Sequence, residues 1–233
     1  MSPQELDQLI TSQPLPTLPV GKLKQIESAV TTGLKPVRPL APVGAYLAAF
    51  AAILIGACVI SWRYILGEHG WEALSNLQRL LVFAPLVAIA ALLVFSIVRQ
   101  MTPAAKYTRA TALFAAGVFV LMLALMAVLF RPVQESAFVQ DGLVCFRAGM
   151  LFAAPAAFLF ALLLWRGAGL SPALTGATAG GLAGLAGLTV LEIHCPNLNL
   201  YHIVVWHVSV TLVCVIVGLV FSGVTFRRWT SNH

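Results

Sequence analysis

A chain of 233 residues that is 60% hydrophobic and only 9% charged has more apolar surface than one soluble core can hide. Its mean hydropathy of +0.92 places it among polytopic membrane proteins. The net charge of +6 would suit a nucleic-acid binder, but the basic residues sit at the ends of apolar runs. That pattern sets membrane topology and argues against direct nucleic-acid binding.

The chain opens with a polar segment, Met1 to Val43, that is broken by prolines and has no apolar h-region. The first apolar run is therefore expected to act as an uncleaved start-transfer helix. "SPQELDQLI" carries helix-start signals: Ser2 as cap, Pro3 at the first helical position, Glu5 and Asp7 in the first turn. Leu6, Leu9 and Ile10 then share one face. "QPLPTLPV" breaks the helix, and "GKLKQIESAVTTGL" resumes helical periodicity through Leu23, Ile26 and Val30. "KPVRPLAP" reads as an extended lead to the membrane. Two short amphipathic helices on a Pro-rich tether cannot bury a core of their own. They are expected to lay their apolar faces into grooves of a partner protein. The other reading is a loose tail on the inner leaflet. This gives two domains, 1–43 and 44–233.

Six runs approach the roughly 20 residues that a bilayer core requires. They are Gly44–Ile65, Leu80–Val98, Thr111–Phe130, Ala148–Trp165, Ala173–Ile193 and His202–Phe226. Backbone pairing in lipid makes them helices, so the expected fold is all-α, a bundle of six transmembrane helices in the lipid bilayer. With the N-terminus inside, ten of the fourteen Lys and Arg residues face the cytoplasm. The four outside are Arg63, Arg79, Arg131 and Arg147. Both termini are thus expected in the cytoplasm. Pro155 is expected to kink the fourth helix. Gly176, Gly180 and Gly184, spaced by four, are expected to let the fifth helix approach a neighbour closely.

"LEIHCPNLNLYHIVVWH", Leu191 to His207, gathers the reactive side chains into the outer loop between the fifth and sixth runs. Cys145, read as preceding the fourth helix, and Cys195, near the end of the fifth, should sit at comparable depth. In an oxidising compartment two such thiols can form a disulfide if their Cα atoms lie within about 7 Å. The alternative is a metal held by His194, Cys195, His202 and Cys145, all soft or borderline ligands. No CxxC or HExxH spacing is present. His69 and His207 could join, but five residues of α-helix place His207 roughly 140° round from His202. The histidines equally suit a plain structural role. Cys58 and Cys214, inside helices, read as small hydrophobes. Trp62, Trp71, Tyr64 and Tyr201 read as interfacial belt residues. Glu192 reads as close enough to the surface to be wet. No catalytic triad, phosphate loop or paired carboxylate is evident, so neither an enzyme nor a cofactor is expected.

"GLKPVRPLAP" before the first helix, Cys145 before the fourth, the Gly-rich fifth helix, and "HCP" followed by "YHIVVWH" together resemble the NrsF-like anti-sigma-F family. The resemblance spans most of the chain. It implies a multi-pass anti-sigma factor of a bacterial inner membrane. Its N-terminal segment would hold an extracytoplasmic-function (ECF) sigma factor in the cytoplasm. Two outward cysteines, here Cys145 and Cys195, are tied in that family to stress response. The competing classes are a membrane thiol oxidoreductase and a small metal transporter. The first usually needs a second outward cysteine pair, and the second more charge within its helices.

Overall fold

The computed structural model describes residues 19–33, 41–64, 69–101, 108–164 and 171–231. The chain divides into two compact units, Met1–Pro39 and Leu40–His233. In the first unit, α1 (Val20–Gly33) forms where the second amphipathic stretch predicts it. Its Leu23 and Ile26 are half exposed. Leu6, Leu9 and Ile10 lie outside the described residues, as does the Val30 side chain.

The second unit is all helical among the described residues. Its helices are α2 (Val43–Tyr64), a short α3 (His69–Ala73), α4 (Asn76–Met101), α5 (Thr108–Leu129), α6 (Phe138–Leu164) and α7 (Pro172–His194). A last composite span follows: α8 (Leu200–His202), a π-helical turn (Ile203–His207) and α9 (Val208–Ser231). Six helical segments are long and apolar enough to cross a membrane, as the hydropathy runs predict. Their outward faces remain greasy: Val87, Leu113 and Val128 are more than two-thirds exposed. Such faces fit a lipid surround, which is as apolar as they are.

Helix boundaries depart from the runs most at the fourth span. It starts at Phe138, ten residues before the apolar run does, so Cys145 lies inside α6 rather than ahead of it. Gln140, Asp141 and Arg147 lower the local hydropathy but do not oppose helix formation. Asp141 in the first turn complements the helix dipole. At α4, Ser75 and Gln78 form a reciprocal capping box: the Gln78 amide donates to Ser75 Oγ at 3.3 Å and the Ser75 amide to Gln78 Oε1 at 3.0 Å. Pro85 and Pro155 both sit inside continuous helices.

The fifth span, α7, is the hub. It packs most extensively on α9, then on α6, α4 and α2. Its membrane segment is 72% buried, against 11% for α2. The glycine stripe explains the close fit. A Cβ at Gly180 would meet the Cys214 carbonyl oxygen, one at Gly176 the Gly218 carbonyl oxygen, and one at Gly184 the Thr211 Cα. Backbone against backbone leaves no room for a side chain, as the small-residue spacing predicts.

Candidate functional site

Both cysteines of interest lie at the same end of the bundle. Cys195 caps the C-terminus of α7, its amide donating to the Leu191 carbonyl at 2.8 Å. Cys145 stands two turns into α6, which packs along α7. The two Sγ atoms are 3.5 Å apart although fifty residues separate them in the chain. Both thiols are partly buried.

The loop from Cys195 to Asn199 is tied down by its own polar residues. Asn199 Oδ1 accepts from the Tyr201 amide at 3.1 Å and so caps α8. The same side chain pairs with Val133, accepting from its amide at 3.1 Å and donating to its carbonyl at 2.6 Å. Asn197 donates to the Glu135 carboxylate at 3.0 and 3.2 Å. A second buttress is α3, whose Gly70 sits so close to Cys195 that a Cβ would meet its backbone at 2.7 Å. Trp71 of α3 stacks between Trp62 and Phe83, with Arg79 over its ring at 5.0 Å. Trp62, Trp71 and Tyr201 thus sit at this end; the Tyr64 side chain lies outside the described residues.

The π turn corrects the expectation for His207. An α-helix would turn His207 away from His202 by five steps of 100°. In the π turn the Val208 amide donates to the Ile203 carbonyl, an i to i+5 bond, so the chain is wound more widely and five residues overshoot a full turn by far less than in an α-helix. His202 and His207 therefore meet edge to face, with ring centroids 5.2 Å apart. Cys195 Sγ is 3.7 Å from His202 Nε2. One ligating atom each from Cys145, Cys195, His202 and His207 lies within 4.8 Å of the other three. Of the four metal candidates read from the sequence, Cys145, Cys195 and His202 come together. His194 is buried but stands outside this group, and His207 takes its place. Adjacent helical residues diverge by 100°, which separates His194 from its neighbour Cys195. His69 is exposed and also outside the group.

Glu192 is not wet. It is 4% exposed, and its Oε1 lies 2.9 Å from His207 Nδ1. A carboxylate that deep needs a partner, and the buried imidazole supplies it. Glu135, partly exposed, lies 4.0 Å from His202 Nδ1. Hydrogen bonding from Asn199, and after it from Asn197, holds the Glu135 carboxyl below the usual carboxylate range against its partial burial. At the Cys195 thiol, the hydrogen bond with Cys145 and then burial push the pKa up, outweighing His202 and His207. Gly142 of α6 lets the Trp206 indole lie flush on that helix, since a Cβ there would meet the ring. Trp206 also packs on Phe138 at 5.7 Å, closing the cluster from the side.

Comparison with curated proteins gives no match, and comparison with solved structures gives none either. The family model described as "NrsF: Negative regulator of sigma F" matches residues 30–229 and takes in the whole cysteine–histidine cluster together with all six spans. The chain therefore belongs to the NrsF family of negative regulators of sigma F.

Proposed function

We propose that this protein is an anti-sigma factor of a bacterial inner membrane, with no enzymatic activity of its own. Residues 1–43 hold an ECF sigma factor in the cytoplasm. A redox or metal stress arriving from the periplasm at Cys145 and Cys195 ends that hold. One observation carries the reading: in a family of sigma-factor regulators, two cysteines on different helices meet at 3.5 Å at one end of the bundle. The distribution of Lys and Arg favours that end as the outward one. Small side-chain rotations would close a disulfide bond of about 2.05 Å there. Its two electrons and two protons would pass to the oxidising machinery of the periplasm.

The sigma-binding assignment rests on α1, whose Leu23 and Ile26 offer an uncovered apolar stripe to a groove. Leu6, Leu9, Ile10 and Val30 extend that assignment from the sequence pattern. A route between the ends follows from the packing. Cys195 caps α7, and α7 packs directly on α2, the helix that follows the N-terminal segment. A shift of α7 is felt by α2 without an intermediary.

The test is co-purification of the full chain with the ECF sigma factor encoded beside it. Retention that disappears when residues 1–43 are removed supports the reading. A full chain that retains no sigma factor sinks it. Labelling of intact cells with a membrane-impermeant thiol reagent reads sidedness: Cys145 and Cys195 should be modified, and Cys58 and Cys214 should not.

A further inference from the structure

The cysteine pair is half of a larger constellation, and its other half has unmet valences. His207 is 1% exposed and its Nδ1 is taken by Glu192, while among the described residues its Nε2 makes no hydrogen bond of ordinary geometry and faces only the Cys195 thiol. A buried ring nitrogen facing only a weakly bonding thiol is costly unless something occupies the space between them. That space is the one shared with Cys145, Cys195 and His202.

We propose that Cys145, Cys195, His202 and His207 form a four-ligand site for a tetrahedral divalent ion of the zinc class. This rests on the reading of the cysteine pair as the signal-receiving site and names its ligand. Bonds of about 2.0–2.3 Å to two sulfurs and two nitrogens give a tetrahedron with edges of about 3.3–3.8 Å. The observed Sγ–Sγ distance of 3.5 Å and Sγ–Nε2 distance of 3.7 Å fall within that range. Two thiolates balance the charge of a divalent ion, which suits a site at the edge of a membrane core. The outer shell is also built. Glu192 orients His207 from Nδ1 at 2.9 Å, the carboxylate–histidine–metal arrangement that fixes a ring tautomer; Glu135, 4.0 Å from His202 Nδ1, adds negative charge behind the second ring without a hydrogen bond to it.

The π turn gives this site a means of acting on the bundle. With Ile203–His207 in π geometry both imidazoles face the thiols; with the same residues in α geometry they diverge by about 140°. The ion thus binds one register of the sixth span and not the other, which is the differential affinity that a ligand-driven switch requires. Holding α6, α7 and the sixth span at one point, it sets the outer ends of three helices at once.

The test uses the full chain purified in detergent micelles with its thiols kept reduced, titrated with Co²⁺. The expected result is one equivalent bound, with tetrahedral ligand-field absorption and a thiolate-to-cobalt charge-transfer band, both removed by Zn²⁺. His202→Gln and His207→Gln should each weaken Zn²⁺ binding at least tenfold. Glu192→Gln should weaken it roughly 10–100-fold with the ligands intact. His207→Cys should retain the ion and intensify the charge-transfer band, which a merely structural histidine would not do. A reduced, monodisperse wild-type chain that takes up neither Co²⁺ nor Zn²⁺ overturns the proposal. Unchanged affinity and spectrum in both Gln variants overturn it too, leaving the cysteines to act without the histidines. Neither result touches sigma-factor retention, so failure of the metal site and failure of the anti-sigma reading are told apart.

Discussion

The two ends of α7 each carry a buried polar cluster, and the two are finished differently. At one end, Gln100 of α4 is clasped by α7. Thr175 Oγ1 donates to Gln100 Oε1 at 2.8 Å, and Gln100 Nε2 donates to Ser96 Oγ at 3.2 Å and Thr178 Oγ1 at 3.4 Å. None of these four side chains leaves a buried nitrogen or oxygen without a partner. At the other end, His202 Nδ1, Trp206 Nε1 and His207 Nε2 make no ordinary hydrogen bond among the described residues. A satisfied network holds helices together. An unsatisfied one, buried beside two thiols, is arranged for something else, since unpaired buried polar atoms persist where function requires them.

The largest expected effect is on signalling. Cys145→Ser and Cys195→Ser should each change the expression of sigma-controlled genes, and to the same extent, because bridge and metal site alike need both sulfurs. A strong effect from one variant and none from the other would show that the pair does not act as a unit. Reporter expression with and without stress measures it.

Next comes the pair His207→Leu and Gln100→Leu, one at each end of α7. Removing the imidazole strands Glu192 as a buried carboxylate without its partner, a loss of about 3–5 kcal/mol. Removing the amide leaves the threonines with backbone acceptors in reach: the Thr175 hydroxyl can turn its proton to the Ser171 carbonyl at 2.9 Å, and Thr178 Oγ1 already has the Leu174 carbonyl at 2.8 Å. Hydrogen bonds between membrane helices average about 0.6 kcal/mol, so Gln100→Leu should cost about 1 kcal/mol or less. Denaturant titration in micelles compares the two. Equal losses would erase the distinction between the ends.

Much of this architecture is legible in the sequence, and the reasons for the remainder are physical. Hydropathy finds the six spans because lipid imposes length and apolarity directly. The spacing of Gly176, Gly180 and Gly184 finds the close helix face because only small residues permit it. The start of α6 stays hidden because Asp141 and Arg147 offend a hydropathy average but not a helix. His207 stays hidden because a 100° step assumes α geometry, and the π turn at "IVVWH" carries no compositional mark. The pairing of two histidines across a five-residue gap is the one trace it leaves. The depth of Glu192 depends on tertiary packing of α7 against the sixth span, which no local pattern encodes.

The smallest effect belongs to Glu135, at the rim of the unsatisfied end. Its carboxyl is held below the usual range by the Asn199 and Asn197 amides, so its contribution is present at neutral pH, above the unfolded value. That contribution fades as pH falls through the lowered folded value. Glu135→Gln should therefore cost little at pH 7, since the site is partly open to solvent and such contacts are screened. The gap between wild type and variant should shrink as pH falls from the ordinary glutamate value through the lowered folded one, where the wild-type carboxyl gains its proton. Thermal melting of both proteins in micelles between neutral and acid pH measures this. A gap that widens on acidification would mean that Glu135 favours its protonated form in the folded chain, and the amides of the loop would then be donating elsewhere.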